Sequence, residues 1–230
     1  MVGILGANSL SGGGYEISNS LRFNDNDSAK LSRTPSNAGN RQTWTISVWV
    51  KRSTLATNQG IFSTYSGNAS INTQSGFQGV NERLNFYDVD TSYQWRFVTN
   101  QMFRDTSAWY NLCYVSDTTQ STAADRIKLY VNGSRVTDFE ATLIPDQNFN
   151  TADWNANVLH NIGTHANSEY FDGYMAEFHN IDGQALTPSD FGEFNDNGVW
   201  IPKAYEGTYG TNGFYLEFKE TGTSQNSSGI

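Results

Sequence analysis

Hydrophobic and polar residues alternate along several short stretches of this chain, with the two-residue period of a half-buried β-strand. The clearest stretch is TWTISVWVK, in which one face carries only apolar side chains, Trp44, Ile46, Val48 and Val50. Trp49 falls on the opposite face. We expect Trp49 to pack under an overlying loop, to line the concave side of a sheet, or to contact another copy of the chain.

A second stretch, RIKLYVNGSRV, predicts a strand followed by a tight turn. Ile127, Leu129 and Val131 share one face, and the strand then meets Asn132 and Gly133. An Asn-Gly pair supplies the two positive φ angles of a type I′ turn, so it predicts a β-hairpin. Other stretches have the same strand character: GIFSTY, RLNFYDV, YQWRFVT, WYNLCYVSD and GFYLEFK.

One segment, LTPSDFGEF, carries a helix signal. Thr187 can cap a helix, Pro188 suits its first position, and Asp190 lies near the positive end of its dipole. Long helical periodicity occurs nowhere in the sequence. The chain therefore predicts an all-β fold: two antiparallel sheets stacked face to face, with at most one or two short helical turns.

Length and composition suit a single sandwich of this kind. The chain has 230 residues, of which 14% are aromatic and 16% are charged. Aromatic residues at this level can fill a core, so the low charge does not indicate disorder. We expect one domain over residues 20–220, between a flexible attachment arm at 1–19 and a flexible tail at 221–230, after which the chain can continue.

The net charge of −9 argues against two kinds of partner. Proteins that bind the nucleic-acid backbone gather Lys and Arg, and acidic proteins are repelled by anionic lipid. No apolar run reaches the roughly 18 residues of a membrane-spanning helix, so we expect neither nucleic-acid binding nor membrane insertion. Cys113 is the single cysteine, and its setting in WYNLCYV predicts a buried, unreactive thiol.

Five strings in a fixed order support a family resemblance. They are NSLRFNDNDSAKLSRTP, TWTISVWVKR, SAWYNLCYV, RIKLYVNGSRV and FDGYMAEFHNIDGQALTPSDFG, over roughly residues 20–195. Their order resembles the concanavalin A-like lectin/glucanase superfamily, on its laminin-G and pentraxin-like branch. The resemblance implies a jelly-roll sandwich.

A later stretch, FGEFNDNGVWIPKAYEGTYGTNGFYLEFKE, is similar to lectin-like proteins of marine bacteriophages, often found in tail fibres or other virion positions. This resemblance implies a virion protein assembled in the host cytoplasm, and the start MVGILGANSLSGGG lacks the basic segment of a signal peptide. It also implies contacts with other virion proteins and self-association. Virion fibres are commonly trimers, but the sequence has no heptad that sets the number.

The acidic residues of YFDGYMAEF do not form the catalytic pair of the glucanase members. Retaining glycosidases hold two carboxyl groups about 5–5.5 Å apart, and same-face neighbours on a strand are separated by an even number of residues. The step from Glu169 to Asp172 is odd, and the step from Asp172 to Glu177 is odd and also too long. We therefore expect a protein that is not an enzyme, and we expect Glu177 to take part in structural hydrogen bonds or to pack beside Trp and Arg. His160, His165 and His179 show no metal-ligand spacing.

Two loops are candidates for ligand binding. Asp25 and Asp27 in NDND supply the oxygen ligands that Ca²⁺ prefers, although Asn- and Asp-rich loops are more often turns. Asp88 and Asp90 are a similar calcium candidate, since they share a strand face. Calcium is the one cofactor that the sequence suggests.

The second candidate is the aromatic hairpin LNFYDVDTSYQWRF, as a platform for a host-surface glycan. Flat aromatic rings beside carboxylates match the apolar faces and hydroxyl rims of sugars. The alternative is that Tyr93 and Trp95, on one face, simply belong to the core. The predicted glycan-binding residues are Tyr87, Asp88, Asp90, Tyr93, Trp95 and Arg96. The functional hypotheses are thus a glycan-binding virion module, a purely structural virion module and, less favoured, a glycoside hydrolase.

Overall fold

The computed structural model describes residues 14–68, 70–165 and 167–219. Within these ranges the chain forms short antiparallel strands and three 3-10 helices, at Asp25–Asp27, Ala123–Asp125 and Pro188–Asp190. The strands are β1 (Leu21–Phe23), β2 (Leu31–Arg33), β3 (Thr43–Arg52), β4 (Gln59–Tyr65), β5 (Ile71–Phe77), β6 (Arg83–Asp90), β7 (Ser92–Met102), β8 (Tyr110–Asp117), β9 (Ile127–Val131), β10 (Ser134–Arg135), β11 (Phe139–Leu143), β12 (Leu159–Ile162), β13 (Thr164–His165), β14 (Glu169–Tyr170), β15 (Gly173–Asp182), β16 (Gly192–Phe194), β17 (Trp200–Pro202) and β18 (Phe214–Leu216).

These strands build two large sheets and two small hairpins. The first sheet has the order β1-β15-β3-β8-β9-β10, and β18 also pairs with β15. The second has the order β11-β7-β6-β5-β4-β12-β2. The hairpins are β13–β14 and β16–β17. The prediction of an all-β two-sheet sandwich is confirmed, and the helix signal in LTPSDFGEF corresponds to a single 3-10 turn with a capping box between Thr187 and Asp190.

The core lies between the facing sheets, where the strand period places it. Trp44, Ile46, Val48 and Val50 are fully buried in it, as their alternation predicts. Their common cluster also takes in Phe62, Phe86 and Trp95 of the second sheet and Trp154 of the connection between β11 and β12. Several of these rings meet edge to face, the arrangement that the ring quadrupoles favour.

The outer face of the first sheet is also covered. Trp49 is only 3% exposed and packs against Ala176 and Trp200, so the first of its three expected roles is correct. The turn at Asn132 and Gly133 has φ values of 49° and 76°, which confirms the predicted type I′ geometry at those positions. Trp200 packs so closely over this turn that a Cβ on Gly133 would lie 2.3 Å from its ring.

The predicted terminal segments are described only in part. Residues 1–13 of the arm and all of the tail at 221–230 lie outside the described residues. Tyr15 and Ile17 do contact the sandwich, through Glu177 and through the Trp49 cluster respectively. Within the described ranges, no helix has the length and apolar character needed to cross a bilayer.

Candidate functional site

A groove of about 320 Å³ opens on the outer face of the second sheet. Six of its sixteen lining residues carry side-chain amides: Asn58, Gln59, Gln74, Gln78, Asn81 and Asn85. The remainder includes two aromatic rings, one cation and a His-Glu pair: Tyr87, Tyr93, Arg96, His165 and Glu169. The groove therefore combines hydrogen-bonding groups, ring surface and charge.

Strand alternation places these side chains on the outer face. In β6, Leu84 and Phe86 point into the core. Asn85 and Tyr87 occupy the alternate positions of the strand, so they point outward to the groove. Cross-strand register then brings partners beside them. Gln74 of β5 pairs with Tyr87, and Tyr87 pairs with Arg96 of β7, which makes a row across three adjacent strands.

The hairpin β13–β14 forms one wall of the groove, and a glycine permits its position. A Cβ on Gly60 of β4 would lie 2.2 Å from the backbone nitrogen of His165, so a larger residue would push the hairpin away. The hairpin carries a hydrogen bond between His165 and Glu169, with His165 Nδ1 2.8 Å from Glu169 Oε2. Asn58 Nδ2 donates to the other oxygen, Glu169 Oε1, at 2.9 Å.

The opposite side of the groove is an aromatic and cationic cluster. Tyr87 and Tyr93 meet edge to face with ring centroids 5.1 Å apart. The Arg96 guanidinium carbon lies 4.7 Å from the Tyr93 ring centroid, and Arg96 Nε donates to Asn85 Oδ1 at 3.3 Å. Gln74 Nε2 donates to the Tyr87 hydroxyl. Tyr93 remains 43% exposed, so part of its ring is open to a ligand.

Charge states in the groove follow from these contacts. The hydrogen bond from His165 is the main cause that lowers the pKa of the Glu169 carboxyl, so Glu169 is anionic near neutral pH. Burial raises the pKa of the Tyr87 hydroxyl, which keeps it a neutral phenol. Both Glu169 and Arg96 act electrostatically on Tyr87, which therefore lies between an anionic and a cationic part of the groove.

The predicted aromatic platform is divided by the sheet. Tyr87, Tyr93 and Arg96 line the groove, whereas Asp88 and Trp95 are fully buried and do not line it. The expectation that Tyr93 and Trp95 share a face is wrong, because the β6–β7 register shifts between Asp88 and Val89. Such a bulge inserts a residue and turns the following side chains to the other face.

Asp88 and Asp90 lie on β6, which has no inserted residue at this point, but they differ in burial. Asp88 is buried, where its carboxylate accepts hydrogen bonds from Thr73 Oγ1 at 2.6 Å and from the Ala152 backbone at 2.8 Å. Burial raises the pKa of Asp88 to about 7. Asp90 is exposed at the turn that joins β6 to β7. The two carboxylates thus differ in exposure, and calcium binding by Asp88 and Asp90 stays a prediction.

The other calcium candidate, Asp25 and Asp27, lies in a 3-10 turn. Asn24 Nδ2 donates to Asp27 Oδ2 at 2.5 Å, a contact that stabilises the turn itself. In the described part of the chain there is no group of three or more His, Cys, Asp or Glu side chains placed to hold a metal ion. Calcium binding by Asp25 and Asp27 stays a prediction.

The remaining acidic candidates each have structural partners. Asp172 forms an ion pair with Arg22 at 2.5 Å. Glu177 accepts hydrogen bonds from Tyr15 at 2.8 Å and from Tyr215 at 2.6 Å, so its expected structural role is correct. Its partners are these tyrosines and His179, whose Nε2 lies 3.6 Å from Glu177 Oε2, and not the Trp and Arg that the sequence suggested as packing neighbours. The thiol of Cys113 is fully buried, as expected, and burial raises its pKa.

Sequence reasoning missed several groove residues. Asn58, Gln74 and Asn85 were not singled out, and His165 was considered only as a metal ligand. The polar Asn85 between the core residues Leu84 and Phe86 of β6 was a usable signal, whereas Gln74 lies between two other polar residues of β5. Nothing local indicates that His165 and Glu169 fold over β4, because that contact depends on the tertiary structure.

A two-sheet antiparallel sandwich with a polar, aromatic groove on an outer sheet face is the architecture of lectin-like jelly rolls. The chain belongs to the concanavalin A-like lectin/glucanases superfamily, since a laminin G-type family model of that description matches residues 23–190. A search of curated proteins finds no match.

Several solved structures are similar to part of this chain at low sequence identity. Domain 4 of the extracellular arabinanase AbnA from Geobacillus stearothermophilus, solved with arabinotriose, is 22% identical with a TM-score of 0.48, and the match covers 65% of each chain. A pentraxin from Limulus polyphemus is 18% identical with a TM-score of 0.47, over 68% of this chain and 70% of that one. Tailspike protein 2 of Escherichia coli O157:H7 bacteriophage CAB120 is 11% identical with a TM-score of 0.49, over 75% of this chain and 23% of that one. These likenesses concern the fold alone.

Proposed function

We propose that this chain is a glycan-binding module and that the groove on the second sheet is its binding site. The observation that carries the proposal is the part-exposed ring of Tyr93 beside a row of side-chain amides. A sugar presents an apolar C–H face to such a ring and hydroxyl groups to such amides. Glycan binding therefore uses the two features that the groove combines.

The contacts of Glu169 support a site without hydrolytic activity. Glycoside hydrolases generally use two carboxyl groups that flank the scissile bond. Among the described residues that line the groove, Glu169 is the one carboxylate. Both of its oxygens already accept hydrogen bonds, from Asn58 and His165. Binding without catalysis is therefore the activity that we propose.

We further propose that the module is part of a bacteriophage virion, in a tail fibre or decoration protein that recognises the host surface. The support is the similarity of residues 191–220 to lectin-like phage proteins. The chain would then assemble in the host cytoplasm with itself and with other virion proteins. Labelling purified phage particles with an antibody against this chain tests the location, and particles without label would contradict it.

A purely structural role in the virion is the second candidate. It is favoured by the apolar tip of the β16–β17 hairpin, where Phe194 is 55% and Val199 is 56% exposed. Exposed apolar side chains next to each other suit a protein contact. In this alternative the hairpin, and not the groove, makes the functional contact.

A glycan array with the purified chain separates the two candidates. We expect binding to a subset of glycans, and we expect Tyr93→Ala to reduce it by about 10-fold or more, since a ring contact contributes on the order of 1 kcal/mol or more. Tyr174→Ala is the matched control, because Tyr174 is 37% exposed but does not line the groove. Binding to no glycan, or equal losses in both variants, would contradict the proposed site.

A hydrolysis assay tests the absence of catalysis. The wild-type chain is incubated with every glycan that it binds, and reducing ends are counted. We expect no release of sugar. Turnover that disappears in Glu169→Gln or in Glu177→Gln would show that the module is a glycosidase.

A further inference from the structure

We propose that the groove selects an acidic sugar and that Arg96 binds the carboxylate of that sugar; this inference rests on the proposed function. Arg96 determines specificity in this arrangement, while Tyr93 and the amides provide contacts that a neutral sugar would also use.

The Arg96 guanidinium is held in place, yet its outer nitrogens are unused. Its Nε donates to Asn85 Oδ1, and its plane lies against the Tyr93 ring. No residue in the described part of the chain accepts a hydrogen bond from Arg96 Nη1 or Nη2. A guanidinium restrained at one side and open at the other can grip a carboxylate with two parallel hydrogen bonds.

Four of the nine arginines have a carboxylate partner, and Arg33, Arg41 and Arg126 donate instead to backbone carbonyl groups. Arg22, Arg52, Arg83 and Arg135 form ion pairs with Asp172, Glu82, Glu140 and Asp125 respectively. Arg96 forms no ion pair with any described residue, although the chain carries a net charge of −9. In an acidic protein, an arginine that faces a groove without an internal anion is suited to an external one.

The acid in the groove does not occupy this role. Glu169 is held on the opposite wall by His165 and Asn58, so both of its carboxylate oxygens already have hydrogen-bond partners. The electrostatic influence of Glu169 and Arg96 reaches Tyr87 from both sides. A ligand with its anionic group at Arg96 and its neutral hydroxyls toward the Glu169 wall matches this polarity.

Two buried carbonyl oxygens complete the site. Gln74 and Asn81 are among the residues that line the groove. Their carbonyl oxygens, Gln74 Oε1 and Asn81 Oδ1, are buried, and neither accepts a hydrogen bond from a described residue. Gln74 as a whole is only 6% exposed. A buried acceptor without a partner is costly, and a ligand hydroxyl would satisfy it. These acceptors explain why the anionic ligand would be a sugar and not a simple carboxylate ion.

The test compares acidic oligosaccharides with their own methyl esters. Oligomers of galacturonate, glucuronate and mannuronate are titrated calorimetrically, each beside the ester, which retains the skeleton and removes the charge. Wild type, Arg96→Gln and Arg96→Lys are compared with Arg104→Gln. Arg104 is the control because it is exposed and lies outside the groove. Arg104→Gln changes the net charge by the same amount as Arg96→Gln does.

We expect the wild type to bind at least one acid about 10- to 100-fold more tightly than its ester, the factor that a hydrogen-bonded charge contributes. Arg96→Gln should abolish this preference but retain ester binding, which also shows that the variant is folded. Arg96→Lys should keep part of the preference, because it retains the charge but loses the planar fork. Arg104→Gln should behave as the wild type.

Two outcomes would overturn the inference, and they differ in meaning. If the wild type binds acids and esters with equal affinity, and Arg96→Gln binds both as the wild type does, the role of Arg96 is rejected. Binding of a neutral sugar in the same experiment would still support the proposed function. Failure of the wild type to bind any acid, ester or neutral glycan would reject the proposed function, and this inference with it.

Discussion

Arg52 and Glu82 form an ion pair inside the sandwich, with Arg52 Nη1 2.6 Å from Glu82 Oε2. The Arg52 side chain is fully buried and that of Glu82 is 9% exposed. Arg52 also lies over the Phe77 ring and donates to the Phe103 carbonyl, while Glu82 accepts from the Ala56 backbone at 2.6 Å. The pair therefore ties the β3–β4 and β5–β6 connections together at the end of the sheets that holds the groove.

Removing one partner should leave an unpaired buried charge. We expect Glu82→Gln to lower the free energy of unfolding by about 3 kcal/mol. Glu140→Gln breaks a more exposed pair, with Arg83, and should change stability by about 0.5 kcal/mol or less. Urea denaturation followed by tryptophan fluorescence measures both. Losses of equal size would show that burial of the first pair has no special consequence.

Asp88 should make the protein less stable as pH rises through neutrality. Its pKa is about 7 in the folded chain because of burial, and about 4 when unfolded, so the folded chain holds the proton more tightly. The folded state then binds more protons between pH 4 and 7, and the free energy of unfolding falls across this window. The total loss has an upper bound of about 4 kcal/mol.

Asp88→Asn isolates this contribution, because the amide stays neutral at every pH. We expect the stability difference between wild type and variant to shift in favour of the variant from pH 4 to pH 8. Asp146→Asn, at an exposed position, is the control and should show no such trend. A difference for Asp88→Asn that does not change with pH would contradict the raised pKa. Denaturant titrations at several pH values supply the measurement.

Gly133 should tolerate no side chain, because Trp200 packs over the turn. Both Gly133→Ala and Gly198→Ala place an alanine at positive φ, 76° and 73° respectively. That strain alone costs about 1 kcal/mol. Only at Gly133 would the new Cβ also meet the Trp200 ring, so we expect its total loss to be about 3 kcal/mol. Thermal unfolding compares the two, and equal losses would mean that Trp200 moves aside without cost.

Gly60 should control the width of the groove. Gly60→Ala would place a Cβ 2.2 Å from the His165 backbone, so the β13–β14 wall must move. We expect glycan affinity to fall about 10-fold or more, because displaced hydrogen-bonding groups lose their geometry. Gly14→Ala has open space around the new methyl group and should bind as the wild type does. Unchanged affinity in Gly60→Ala would show that this wall takes no part in binding.

The sequence alone determined the sandwich, because its signals are local. The period of two in TWTISVWVK assigns Trp44 to the core, and the Asn132-Gly133 pair sets a turn whatever surrounds it. The same locality explains why Trp49 could be assigned to the outer face without knowing its cover. The identity of that cover, Trp200, follows only from the folded chain.

Tertiary structure decided the composition of the groove. Tyr93 and Trp95 follow the same period in the sequence, and the β6–β7 bulge sends one to the groove and the other to the core. His165 and Glu169 reach the groove only because Gly60 leaves room for their hairpin. Alternation specifies which residues share a face of one strand. Bulges, strand register and long-range packing specify which strands and groove walls meet. Those three features depend on the whole chain.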